Sequence, residues 1–198
     1  EYHRSNLSLR IEPLFTDPIL SNKQVRQALA YAFPYQEVLD TVFLGNASPM
    51  TSIQAQIYPY HEDTYNYTTD LDKARELLAE AGYAAGFDVT ISIASAKADL
   101  ERICILYKTS LEQIGVTLNI EKLPTGDLYN KRVNNQLQLY VNQDMAGFPD
   151  PQFAIGMFAT DDCGMNYNRY YNEFVEERFY EAKFSLDEEL RSSVWHEM

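Results

Sequence analysis

Carboxylates are the residues of this sequence whose type and spacing come closest to chemistry. Asp144 and Asp150 flank a turn, and Asp161 and Asp162 are adjacent a few residues later. Two carboxyl groups converging on one bond could act as general acid and general base. Against this stands the charge of the chain, 29 Asp and Glu against 16 Lys and Arg for a net −13, which places most carboxylates on solvated surface. A nucleophilic cysteine would need Cys104 or Cys163 beside His3, His61 or His196, which are scattered. None of these residues has the C-x-x-C or C-x-x-H spacing of a zinc site. The two cysteines fit one disulfide, two buried thiols, or pairing with sequence outside this chain. Gly82 and Gly86 follow a helical pattern and precede a strand, the reverse of the order a phosphate cradle needs, and no nucleophile elbow occurs. Tyr167, Tyr170 and Tyr171 form either a binding platform or a cover over the edge of a sheet. Arg26 either meets a ligand anion or makes an ion pair. No catalytic set assembles from these residues, and the sequence reads as that of a non-enzyme.

The segment that must position Asp144 and Asp150 runs from Leu137 to Phe153. It begins as a short apolar strand, breaks at Asp144, and passes through Gly147-Phe-Pro-Asp-Pro151 into a helix. A strand that empties into a helix start presents polar groups and backbone N–H groups at the carboxyl edge of a sheet, where open α/β sheets bind ligands. Upstream, residues 6–11 alternate apolar and polar as a half-buried strand does. Ser21 is placed to cap a helix from Lys23 with Val25, Ala28, Leu29 and Ala32 on one face. Pro34 opens a second helix that closes at Gly45. Residues 46–69 hold no period, and so long an irregular segment is functional or packed on a partner. Asp70 caps a helix that ends at Gly82. Residues 87–141 then read strand, helix, strand, helix, strand, with Ile103, Leu106, Leu111 and Ile114 facing inward from the helix at 99–114. Right-handed crossovers make this a largely parallel sheet with helices on its faces. Helices are expected at 151–158, 172–185 and 187–198.

Composition excludes several classes. At 45% hydrophobic residues the chain is globular. Its acidity repels nucleic-acid phosphates, and no basic stripe offsets it. No run of about 18 apolar residues is present to span a membrane. The start at Glu1 and the end at Met198 within a helical pattern read as cuts from something longer.

Six segments together resemble one family, the extracytoplasmic solute-binding proteins of peptide- and nickel-type ABC transporters, called family 5. They are Pro13-Leu-Phe-Thr-Asp-Pro18 with Val25-Arg-Gln-Ala-Leu-Ala-Tyr-Ala32; Gly45-Asn-Ala-Ser-Pro49; and Asp72-Lys-Ala-Arg-Glu-Leu-Leu-Ala-Glu-Ala-Gly-Tyr83 with Gly86-Phe87. Leu111-x-x-Ile-Gly-Val116, Phe148-Pro-Asp-Pro151 and Asn168-x-x-Tyr-Asn172 complete the set. The resemblance runs from about residue 6 to the last residue. It implies an α/β fold with a mixed, largely parallel sheet, residues 1–198 forming one lobe of a bilobed, hinged binding protein. It further implies a periplasmic or cell-surface location and a monomer without cofactor or metal. Its partners would be a peptide or other small solute, a permease and ATPase subunits, with no nucleic acid. The wall of the cleft would be Ser95, Asp144, Met145, Gly147, Phe148, Tyr167 and Asn168.

Where peptide-binding members of that family carry Trp and, three residues on, an Asp that pairs with the peptide's α-amino group, this sequence has Asp144 and Gly147. Either Asp144 reaches inward as a replacement or the ligand lacks a free amine, because an unpaired buried ammonium is costly. Lys97 lies near where several relatives present an Arg-like anchor. Two other readings stay open on the residues: a carboxylate-dependent hydrolase, and the ligand-sensing lobe of a regulatory protein.

Overall fold

The computed structural model describes residues 7–145, 147–148, 150–160 and 165–198. Asp161, Asp162 and Cys163 therefore lie outside the described residues. Four strands form one sheet in the order β1-β4-β2-β3, with β1 at Leu7–Pro13, β2 at Phe87–Ala94, β3 at Val116–Leu123 and β4 at Leu139–Met145. β2 pairs in parallel with β3 from Phe87↔Val116 to Ala94↔Leu123, and in parallel with β4 at Ile91↔Leu139 and Ser92↔Tyr140. A central strand covered on both faces needs a continuous apolar run, and Val89, Ile91 and Ile93 are fully buried together with Ser92. No helix is long and apolar enough to cross a membrane among the described residues.

The chain divides into two compact units. The larger holds residues 11–49 and 67–142, with helices α1 (Lys23–Tyr31), α2 (Tyr35–Thr41), α3 (Leu71–Glu80), α4 (Ala98–Glu112) and α5 (Thr125–Val133). Its organisation shows in how the end of α1 is satisfied, since the last four carbonyls of a helix have no partner within it. Tyr107 Oη of α4 donates to Leu29 O at 2.8 Å, and Ser110 Oγ donates to Ala32 O at 2.6 Å. Phe33 N and Asp70 N donate to Ala30 O and Tyr31 O. Every orphan carbonyl is thereby taken, and α1 is fixed against α4 and the start of α3.

Several local expectations are corrected. Asn22, not Ser21, caps α1: its Oδ1 accepts from Gln24 N at 2.8 Å, while the Ser21 hydroxyl donates back to Pro18 O. Pro34 stands at the cap of α2 and not in its first turn. Gly45 is left-handed as expected but lies beyond the C-cap Val42, returning its N–H to Leu39 O. The inward face of α4 is carried by Leu100, Ile103, Cys104, Tyr107 and Leu111, and Leu106 is only half-buried. Arg26 donates to Leu20 O and Ser21 O and lies 4.4 Å from the Phe15 ring centroid.

Cys104 is a free thiol with no exposure. Burial, and secondarily the charge of Glu101, pushes it up to about 12. The thiolate is the reactive form. Iodoacetamide at pH 8 is therefore expected to leave Cys104 unmodified in the native protein and to label it once urea unfolds the chain, as read by peptide mass spectrometry. Labelling at the rate of a model thiol under native conditions would contradict this packing.

The smaller unit holds residues 50–66 and 143–198 together with the start of the chain up to Arg10. Its helices are α6 (Pro151–Ala159), α7 (Glu173–Phe184) and α8 (Glu188–Glu197). Ile155, Phe179, Ala182, Val194 and Trp195 form its core, with Ile53 and Tyr60 of the irregular segment packed on it. Gly156 lets α6 approach closely, since a Cβ there would meet Phe179 Cζ at 3.0 Å.

Candidate functional site

The sequence placed a break at Asp144, but β4 runs through it to Met145. The extension has a local cause in the first strand. Arg10 Nη2 approaches Asp144 Oδ2 at 3.3 Å, Arg10 Nη1 donates to Ser8 Oγ at 2.9 Å, and Ser8 Oγ donates to Asp144 O at 3.3 Å. Asp144 Oδ1 accepts from Met145 N at 2.8 Å. The polar face of β1 thus holds the end of β4 straight. The apolar face expected to be buried does not behave as expected, because Leu7 is 51% exposed while Glu12, on the polar face, is 4% exposed.

Glu12 anchors a polar cluster in the larger unit that local pattern did not single out. It accepts from Tyr140 Oη and from Asn142 Nδ2, the latter at 3.0 Å. Arg132 Nη1 donates to Asn142 Oδ1 at 3.4 Å, and its guanidinium stands 5.6 Å from the Tyr140 ring centroid. Nearby in the sheet, Glu121 receives Lys131 Nζ at 2.5 Å and the Ser92 hydroxyl at 2.8 Å. The Lys131 ammonium, then Ser92, hold its carboxyl below the usual carboxylate range.

After β4 the turn leads to Asp150, which caps α6 with Oδ1 accepting from Gln152 N at 2.9 Å. Its second oxygen receives Arg191 Nη2 at 2.6 Å, and Arg191 Nη1 donates to Ala182 O at the end of α7. All four carboxylate oxygens of Asp144 and Asp150 therefore accept hydrogen bonds from the protein. These contacts give Asp144 and Asp150 structural roles in the strand end, the ion pairs and the helix cap. The other pair of the hydrolase reading, Asp161 and Asp162, lies outside the described residues. Among the described residues no three His, Cys, Asp or Glu side chains gather as a metal site.

The other expected site residues separate by exposure. Met145 is 58% and Phe148 44% exposed, and Phe148 meets Phe153 edge-on with ring centroids 5.3 Å apart. Gly147 is exposed and a Cβ there would only touch the Phe153 ring. Asp144 and Tyr167 are half-buried, whereas Asn168 is buried. Neighbouring Asn166 ties the loop internally by donating to Tyr170 O at 2.8 Å. Tyr171 is largely exposed and Tyr170 half-buried. Ser95 belongs to the larger unit, exposed in the turn after β2, with its N–H bonded to Leu123 O at 2.8 Å.

A small cavity opens in the smaller unit beside the Arg10–Asp144 pair, its interior admitting the centre of a water-sized group over about 20 Å³. That is room for one or two such groups. Gln54 and Tyr58, from the irregular segment, line it together with Phe153 and Met157 of α6. Sequence reasoning flagged that segment as functional or partner-bound but named none of its residues. Arg10 was missed because its partner Asp144 lies far off in sequence, and Gln54 and Tyr58 because they sit in a segment with no period. The only available signal was the Ser8, Arg10, Glu12 alternation on one face of β1.

The sequence profile described as bacterial extracellular solute-binding proteins, family 5 middle, matches residues 2–166. The glutathione-binding protein GsiB of Salmonella typhimurium is 32% identical over 111 residues, 56% of this chain and 22% of that protein. Among solved structures, HbpA2 from Haemophilus parasuis superposes with a TM-score of 0.91 at 22% identity, covering 98% of this chain and 40% of that one. The periplasmic binding protein DppA from Helicobacter pylori, in complex with the peptide STSA, gives 0.89 at 21% identity over 98% and 38% of the two chains. At such identities these likenesses establish the fold, α/β with a mixed, mostly parallel sheet flanked by helices, and the chain spans well under half the length of each relative.

Proposed function

Because this chain belongs to the bacterial extracellular solute-binding proteins of family 5, we propose that it is one lobe of an ABC importer's binding protein. It supplies one wall of a cleft that takes a peptide or peptide-sized solute. The remainder of the protein supplies the facing wall, and closure on the solute is what the permease and its ATPase subunits read. Differential affinity of the solute for the closed form drives that closure, with no bond made or broken. The protein acts outside the cytoplasm, as a monomer, in the periplasm or anchored at the cell surface.

The observation that carries this reading is the family match across most of the chain. The site agrees with it: exposed Met145 and Phe148 at the end of a sheet strand offer apolar contact, and the nearby carboxylates are used structurally. Met145, Gly147, Phe148 and Tyr167 face the solute. Ser95 contributes from the turn after β2, Asp144 borders the site through its pair with Arg10, and buried Asn168 shapes the loop that carries Tyr167.

Mass spectrometry of small molecules released from the gently purified full-length protein tests this, with a peptide or peptide-sized solute expected. The 198-residue lobe alone is expected to bind that solute at least about tenfold more weakly by calorimetry, because half the enclosing wall is missing. Equal affinity of the lobe and the full protein would rule out the two-walled cleft.

A further inference from the structure

We propose that residues 51–65 form a proton-dependent clasp, in which the doubly protonated His61 ring holds an Ω-loop closed and loss of one ring proton loosens it. This goes beyond the solute-binding reading and does not rest on it. The ends of the loop meet at Thr51. The Thr51 carbonyl accepts from Thr64 N at 2.8 Å, Tyr65 N at 3.0 Å and Thr64 Oγ1 at 3.3 Å, and its hydroxyl donates to Asp63 Oδ1. A long loop with joined ends that packs its own side chains is the Ω-loop arrangement. Within it lies His61, its side chain 13% exposed. His61 Nδ1 stands 3.2 Å from Gln54 O, and Nε2 stands 3.2 Å from Asp63 Oδ1. A carbonyl and a carboxylate can only accept. A neutral imidazole has one N–H and one lone pair, so either tautomer sets a lone pair against an oxygen. The imidazolium donates at both positions. Closure therefore favours the protonated ring, and by linkage the clasp is tightest at the acid end of the histidine range and weakens as pH rises through it.

The neighbouring groups leave few other sources for such a dependence. On the loop itself the Thr51 hydroxyl, then His61, hold the Asp63 carboxyl below the usual carboxylate range. The hydrogen bond to Glu188 holds Tyr60 above the usual phenol range. Glu62 is the other charged residue of the loop. Around it stand Glu188, Arg191 and His196 of α8, which meet Tyr60, and Arg10 and Asp144 beside Gln54 at the cavity. The helices α6 and α7 meet the loop through Ile155, Met157 and Phe179. Histidine is the side chain that ordinarily changes charge between about pH 5 and 8, so His196 is the rival to His61. Ile53 and Tyr60 pack on the core of the smaller unit, and Gln54 and Tyr58 line the cavity, so loosening of the clasp reaches the wall beside the Arg10–Asp144 pair.

Hydrogen exchange of the full-length protein, read by peptide mass spectrometry between about pH 5 and 8 and corrected for the intrinsic rate at each pH, tests this. Peptides within residues 51–65 are expected to lose about three- to tenfold in protection across that range, relative to peptides of β2, because one hydrogen bond of a partly exposed pair is lost. His61→Gln, which keeps a donor but does not titrate, should remove the dependence. Asp63→Asn should shrink it to about twofold or less, since the amide can turn an N–H toward a neutral Nε2. His196→Gln should leave it intact. If His61→Gln does not fold, the wild type, Asp63→Asn and His196→Gln still decide. Loop protection in the wild type that is flat or rises with pH relative to β2 overturns the proposal. So does a dependence that survives undiminished in His61→Gln or Asp63→Asn, or one that disappears in His196→Gln.

Discussion

Gly86→Ala is expected to destabilise the protein by about 3–5 kcal/mol, enough to unfold a marginal domain. Gly86 has φ +76°, and a Cβ built on it would stand 1.8 Å from Gly115 O and 2.5 Å from Gly115 C. The obstacle is backbone, so no side chain can swing away to relieve it. The two glycines directly precede Phe87 and Val116, the first register pair of β2 and β3. Room for a methyl would have to come from parting the strands where their pairing begins. Two controls isolate the contact from the conformational cost. Gly82 has φ +86° with nothing within 4 Å of a Cβ, and Gly115 has φ +80° with its nearest contact at 3.6 Å. Alanine at either carries only the left-handed strain, about 1–2 kcal/mol. Urea unfolding followed by circular dichroism measures all three. A Gly86→Ala cost no larger than that of Gly82→Ala would show that the strand starts do not approach so closely.

The difference between Gly82 and Gly86 also shows what the sequence could and could not convey. Both were legible as turn glycines between a helix and a strand, because helix ends and chain reversals are written in neighbouring residues. The same locality made α3 legible, with Asp70 Oδ1 accepting from Lys73 N and Ala74, Leu77 and Leu78 spaced to face inward. It also made the β2-α4-β3-α5-β4 succession and its parallel pairing legible. That Gly86 must abut Gly115, or that Arg10 must meet Asp144 across 134 residues of sequence, is written in no local pattern. The strand at β1 was legible, but which of its faces is covered was not, for a related reason. Its apolar/polar alternation was correct, but the usual assignment of faces assumes that the apolar side is the buried one. In this strand Glu12 is buried because Tyr140 and Asn142 supply its donors. Alternation gives the faces of a strand, and only the partners tell which face is covered.

The candidate site was legible to the same degree. The 137–153 segment carried the right elements, a strand, a turn and a helix start. Its carboxylates suggested chemistry only while their partners were unknown. By sequence Asp144 offers a substitute for an amine-binding carboxylate, and its pairing with Arg10 changes the sense of that substitution. A paired carboxylate is a weak receptor for a cation, so under the proposed function the change from the family pattern at Asp144 and Gly147 would bear on which solutes are accepted as well as on how tightly. Under the proposed function, Arg10 would bear on specificity through its pair with Asp144.

Asp150→Ala is expected to cost about 2–3 kcal/mol, the second-largest effect, and to loosen the turn that carries Gly147 and Phe148. Two contributions add. Loss of the N-cap on α6 costs about 1 kcal/mol. Removing the carboxylate from Arg191, whose side chain is 12% exposed, leaves a guanidinium half-satisfied by Ala182 O. A fully buried pair would lose several kcal/mol, but Asp150 is 27% exposed, so about 1–2 kcal/mol is the appropriate scale. Asp150→Asn keeps an oxygen for Gln152 N and should lose only the second part. Arg191→Met keeps a long apolar stem to pack where the guanidinium now lies 5.7 Å from the Trp195 ring centroid, and it removes the same pair from the other side. The double variant Asp150→Asn with Arg191→Met should cost less than the sum of the two singles by about 1 kcal/mol, since each has already broken the shared contact. Denaturant unfolding of the four proteins gives the coupling directly. The cycle also separates the structural role from any direct role at the solute. A carboxylate that served only the ligand would show no coupling to Arg191, and Asp150→Asn would weaken solute binding at unchanged stability. The structure predicts the opposite: stability falls with the pair, and solute affinity falls only as far as the turn at Gly147 and Phe148 loses its footing on α6.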